Sequence, residues 1–97
     1  MEQSMEVLKV ILRSEDISLS EEAEPLCISQ IEQLQGCEEY ANGRTIRRYS
    51  DLLCQMLEQR CIRNAAQYTA DDPRAYEIQA EDVPEISVVM EKLNISL

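Results

Sequence analysis

Four stretches of the chain repeat their apolar residues every three or four positions, with polar breaks between them. Met5, Val7, Leu8, Val10, Ile11 and Leu12 predict a short, strongly apolar helix over about 3–14. It has two greasy faces rather than one, so it rests on two neighbours or on one that this chain does not supply. Ile17-Ser18-Leu19-Ser20 alternates apolar and polar and reads as a short extended connector. Ser20 is a natural N-cap, and Glu21 and Glu22 behind it complement a helix dipole. The helix that follows, over about 21–35, turns Cys27, Ile31 and Leu34 inward, helped by Ala23 and Leu26. Its start moves to Glu24 if Pro25 takes the first helical position, and Gly36 stops it.

After an acidic turn over 37–41, Ile46, Tyr49, Leu53, Met56, Leu57 and Cys61 form the stripe of a long central helix, about 43–66. At roughly six turns it is the spine of the domain. Residues 67–75 form a polar loop that turns at Asp72-Pro73, and 76–78 are briefly extended. Asp82-Val83-Pro84-Glu85 reads as a capping box with proline in the first turn. It opens a final helix over about 83–94 that buries Ile86, Val89, Met90 and Leu93, with Ile95 and Leu97 as an apolar tail. The expected fold is one all-α domain over 1–97, a small four-helix bundle. Two glycines and three prolines in 97 residues leave few of the tight turns that an all-β chain needs.

Charge sharpens this picture. The net charge is −10, which disfavours nucleic acid and anionic membrane as partners of the domain as a whole. The distribution is uneven. Residues 44–63 hold Arg44, Arg47, Arg48, Arg60 and Arg63 against Asp51 and Glu58, so the central helix is basic inside an acidic chain. That helix is a docking face for something anionic, or it is packed against its own acidic neighbours.

Catalytic chemistry is missing. The chain has no histidine, and Cys27, Cys37, Cys54 and Cys61 show no C-x-x-C spacing, so neither a zinc site nor a Cys-His or Ser-His pair is expected. Reduced thiols of an intracellular protein are the reading these cysteines support. Near Cys54 only the arginines would lower a thiol pKa. No phosphate loop or G-x-G-x-x-G turn is present, and no run approaches the ~20 apolar residues of a membrane span. Asn94-Ile95-Ser96 matches a glycosylation sequon that, without a secretory signal, is expected by chance.

One stretch does carry chemistry: Ala41-Asn42-Gly43-Arg44-Thr45-Ile46-Arg47-Arg48. Asn42 is a good N-cap, its side-chain oxygen suited to the free N–H groups of the helix it opens. Arg44 then sits in the first turn, where a cation opposes the dipole by roughly 0.3–1 kcal/mol. An arginine beside free backbone N–H groups makes sense where a phosphate or carboxylate occupies that end. The plainer alternative is neutralisation on the surface by Glu38 and Glu39.

The order of these elements, with a Leu-Ser-Glu-Glu-Ala helix start and Ile-Gln-Ala-Glu-Asp-Val near the end, resembles the C-terminal helical lid of AAA+ ATPases of the CbxX/CfqX type. That group holds stage V sporulation protein K and the red-type Rubisco activase. Its long lid helix opens on Gly-Asn-Ala-Arg-x-Val-Arg-Asn. Asn42, Arg44 and Arg47 match this motif; Ala41, Gly43, Ile46 and Arg48 stand at its Gly, Ala, Val and Asn. Arg60 matches a usual arginine, whereas Leu57 and Glu58 stand where Gln-Ala is common.

The resemblance implies that Arg44 is the sensor-2 residue, reaching the nucleotide γ-phosphate from the lid, with Arg47 supporting the phosphate or the contact to the large ATPase domain. It implies ATP as cofactor only together with a nucleotide-binding domain that this chain lacks, no catalysis by the chain alone, and no metal. The implied partners are the large domain of the same parent and neighbouring subunits of a remodelling ring in the cytoplasm. The start at Met1, just before the first lid helix, suits a domain cut from a longer protein; a free-standing relic of a lid is the other possibility. A stand-alone acidic adaptor that binds a protein through its arginine-rich helix is the rival function.

Overall fold

The computed structural model describes residues 2–69 and 71–95. It has four α-helices: α1 (Glu2–Ser14), α2 (Ala23–Gln35), α3 (Gly43–Arg63) and α4 (Ile86–Leu93). Two short strands, β1 (Ser18–Leu19) and β2 (Glu77–Ile78), pair in parallel with Ser18 opposite Glu77 and Leu19 opposite Ile78. Both segments read as extended in the sequence; their pairing was not foreseen there. The fold is a small all-α bundle with this one ladder.

α3 is the spine. At 21 residues it is about 31 Å long, and it touches α1, α4, β2 and both 3-10 turns, Pro73–Tyr76 and Ala80–Asp82. The core is almost wholly aliphatic: Leu8 and Leu12 of α1, Cys27, Ile31 and Leu34 of α2, Ile46 and Leu53 of α3, Ile78 of β2, Val89 and Leu93 of α4. Leu26, expected inward, lies on the exposed side of α2, and Met56 and Cys61 are only half-buried. On α1, Met5, Leu8 and Leu12 are buried while Val7 and Val10 face outward, so the second greasy face has no neighbour among the described residues.

The one fully buried aromatic ring belongs to Tyr49, whose hydroxyl donates to Gln30 Oε1 at 2.6 Å. Gln30 in turn donates through Nε2 to the Pro84 carbonyl, joining α3, α2 and the approach to α4. Burial pushes the Tyr49 hydroxyl pKa far up, so it stays a neutral donor.

Helix boundaries differ from expectation where polar side chains intervene. Ser20 does cap, its Oγ accepting from the Ala23 N–H at 3.1 Å, but regular helix begins at Ala23 and leaves Pro25 harmlessly in the first turn. α3 ends at Arg63 rather than 66: the Arg60 carbonyl accepts both the Asn64 N–H at 3.1 Å and Asn64 Nδ2 at 2.8 Å, and the chain then tightens as the Ala65 N–H bonds to the Ile62 carbonyl. The capping box sits one turn earlier than expected, between Gln79 and Asp82, and closes a 3-10 turn. α4 therefore starts at Ile86, not 83. It ends with Asn94 left-handed at φ 60°, the Ile95 N–H bonding back to Met90 and the Asn94 N–H to Glu91. Ile95 is thus a buried part of a helix cap, not a loose tail; Leu97 and the sequon's Ser96 lie outside the described residues.

Asp82 is displaced from its expected role because it serves Arg60. Both side chains are fully enclosed. Arg60 Nε donates to Asp82 Oδ1 at 2.9 Å and Nη2 to Oδ2 at 2.9 Å; the remaining donors reach the Tyr68 hydroxyl at 2.9 Å and the Glu77 carbonyl at 2.8 Å. Asp82 Oδ2 also accepts the Gln79 N–H at 2.9 Å. The hydrogen bond to Asp82 keeps Arg60 protonated well beyond the ordinary arginine range. Removing one partner of such a pair leaves a buried, unpaired charge and costs about 3–5 kcal/mol. Asp82→Ala is therefore expected to lower the melting temperature by more than about 12 °C in a circular-dichroism melt. The double variant Arg60→Met/Asp82→Leu recovers much of that loss. A drop of only a few degrees in Asp82→Ala would show that the pair is not structural.

Candidate functional site

The entry to α3 is built on an unusual backbone. Asn42 has φ 48° and ψ −120°, and the Arg44 N–H bonds to the Ala41 carbonyl at 3.1 Å, the geometry of a II′ turn that favours glycine or asparagine at this position. The Asn42 side chain makes no cap, contrary to expectation. Instead Thr45 Oγ1 reaches back to accept the Ala41 N–H at 2.8 Å. Asparagine is here for its tolerance of positive φ, not for its oxygen. Gly43 has a negative φ and open space around the position of a side chain, so alanine would fit.

This turn presents two arginines. Arg44 and Arg47 stand one helical turn apart, both exposed. Among the described residues neither makes a hydrogen bond or an ion pair; in particular, Arg44 does not pair with Glu38 or Glu39. Arg47 lines two hollows. A shallow one of about 480 Å³ is shared with Val7, Val10, Ile11 and Gly43, so the unpartnered face of α1 adjoins the arginine end of α3. The other is a groove of about 750 Å³ along α3, lined also by Ile11, Ile17 and Tyr76.

A family model described as the AAA lid domain matches residues 2–91. The chain belongs to that family. Neither a curated protein nor a solved structure matches it.

Within the lid, the basic character of α3 divides. Arg60, counted in the sequence as part of a basic face, is internal and fully paired. Arg74 stacks on Tyr68 with its guanidinium carbon 4.5 Å from the ring centre and pairs with Asp72 at 2.6 Å, holding that carboxyl below the usual range. The polar loop is thereby fastened over the Arg60 cluster. For Arg60 the second of the two expectations for the basic helix holds, packing against an acid of the same chain; its place on the apolar side of the α3 stripe was the signal. All four cysteines are free thiols. Among the described residues no group of three or more His, Cys, Asp or Glu side chains is placed to hold a metal ion, and no helix is long and apolar enough to cross a membrane.

Two predictions follow from this geometry. Asn42→Gly should leave stability unchanged or slightly raised, whereas Asn42→Val should cost about 1–3 kcal/mol through strain at positive φ. Urea denaturation distinguishes this from a side-chain cap, for which both variants would lose stability. Cys54 is pushed up by burial and then by the Asp51 and Glu15 carboxylates, so its thiolate fraction at neutral pH lies below that of free cysteine. Its alkylation by iodoacetamide should be slower than that of free cysteine at pH 7–8 and continue to rise at pH values where the free amino acid has reached its plateau; an equal or faster rate at neutral pH would contradict this.

Proposed function

We propose that this lid is the C-terminal, sensor-2 lid of a AAA+ ATPase of the CbxX/CfqX type, acting in a cytoplasmic remodelling ring. The observation that carries the reading is Arg44: an exposed guanidinium, free of its own acids, set at the start of the longest helix by a fixed turn. A cation that opposes the helix dipole and has no internal partner is best explained by an anion brought from outside.

The residues present fit a nucleotide phosphate. Arg44 offers a planar, permanently charged donor set, and Arg47, one turn on, adds a second charge on the adjoining surface. ATP, held by the large domain of the parent protein, supplies the terminal phosphate that this charge recognises. Val7 and Val10 of α1, beside Arg47, form the apolar area that the large domain would cover. In this reading Arg44 favours the closed arrangement of lid and large domain while the terminal phosphate is present and loses that contact after hydrolysis. Neighbouring subunits of the ring then sense the change through the position of the lid.

The test is Arg44→Ala in the full-length parent. Losing a hydrogen bond to a charged group, worth about 1.5–3 kcal/mol, should lower ATP turnover about tenfold or more. The melting temperature should stay unchanged, because the side chain is exposed. Unchanged turnover removes Arg44 from the nucleotide site. Nucleotide-independent capture of a protein, lost in Arg47→Glu/Arg48→Glu, would favour the adaptor function instead.

A further inference from the structure

The groove along α3 has a chemistry that the sensor-2 reading does not use. Its floor is apolar, formed by Ile11, Ile17 and Leu57 with the half-buried Cys54 and Cys61. At its far end Ile62 is 75% exposed and Tyr76 is 50% exposed. Carboxylates border this floor from both sides: Glu15 beyond the end of α1, and Asp51 and Glu58 two turns apart on α3. All three are exposed, and among the described residues none is in an ion pair. Asp72 is already spent on Arg74, and Asp82 and Glu81 on Arg60.

We infer that this groove docks a cationic amphipathic segment of a partner protein, its aliphatic side chains on the floor of Ile11, Ile17 and Leu57 and against Ile62 at the far end, and its Lys or Arg residues against Glu15, Asp51 and Glu58. An apolar floor alone would leave the occupant open. The unneutralised carboxylates decide it, because they repel an acidic segment, a nucleic acid or an anionic bilayer and attract a basic one. The stretch from Arg47 to Ile62 is about 22 Å of helix, room for a helical segment of about 14 residues. Arg47, the only base lining the groove among the described residues, closes one end. The inference is independent of Arg44 and of the nucleotide.

The probe is a synthetic 14-residue amphipathic helix of leucine and lysine carrying a fluorophore, titrated with the chain and read by anisotropy. Asp51→Lys/Glu58→Lys should weaken binding by at least about tenfold. Glu21→Lys/Glu91→Lys, the same charge change at exposed positions outside the groove, should leave it within about twofold. Ile62→Ser, which removes the apolar group without adding charge, should also weaken it, with the melting temperature preserved because this side chain is exposed. Equal loss in the two charge-reversal variants would mean diffuse attraction to an acidic surface and overturn the proposal. So would undiminished binding of a peptide with its leucines replaced by alanine, or no binding at all. Sedimentation velocity supplies the last arm: dimerisation of the chain that Ile62→Ser abolishes would make a second copy the occupant, and the proposal would fall.

Discussion

The fold hangs on a guanidinium with no access to water. Arg60 leaves the last turn of α3 and gathers an acid, a phenol and a peptide carbonyl from three different places in the C-terminal third of the chain. Burying such a charge is unfavourable unless every donor is used and the counter-charge is itself satisfied. Here Nε, Nη1 and Nη2 each have a partner, and Asp82 receives Arg60 on both oxygens and takes a backbone N–H besides. The cluster fixes where the segment after the polar loop must lie, and so places Ile78 in the core and the 3-10 turn against α2. An aliphatic core of similar volume could fill the space, but it would not specify this one course for a loop rich in polar residues.

Arginines of a single helix have opposite duties here. Arg44 and Arg47 lie where the helix begins and project to the surface; Arg60 lies four turns later and is consumed inside. Counting charges along α3 therefore overstates its basic surface, and the visible field is a small positive end next to an acidic trough. That division gives one element a positive surface at its start and an acidic one along its flank.

Much of this arrangement was legible in the chain. The four helices and the inward residues of α2 and α4 follow from apolar spacing, since Cys27, Ile31, Leu34, Val89 and Leu93 recur at helical intervals. The exposure of Val7 and Val10 was foreshadowed by a helix apolar on too many sides. What escaped notice depended on polar side chains choosing among partners. Asn42 and Asp82 both look like helix caps, and neither side chain caps the helix it was assigned: Asn42 supplies a backbone shape, and Asp82 answers an arginine 22 residues earlier. Local spacing cannot reveal such choices because the deciding partner is distant in sequence. The pairing of β1 with β2 was hidden likewise, two residues being too short to leave a periodic mark.

That pairing has a kinetic consequence. A two-rung ladder has no stability of its own, and its partners are separated by the whole of α2, α3 and the polar loop. Closing so large a circuit is entropically unfavourable until the intervening helices have condensed. The stitch from the Ser20 amide to the Ile78 carbonyl is thus a finishing step of folding, the helices collapsing around α3 before the two ends of the circuit are tied.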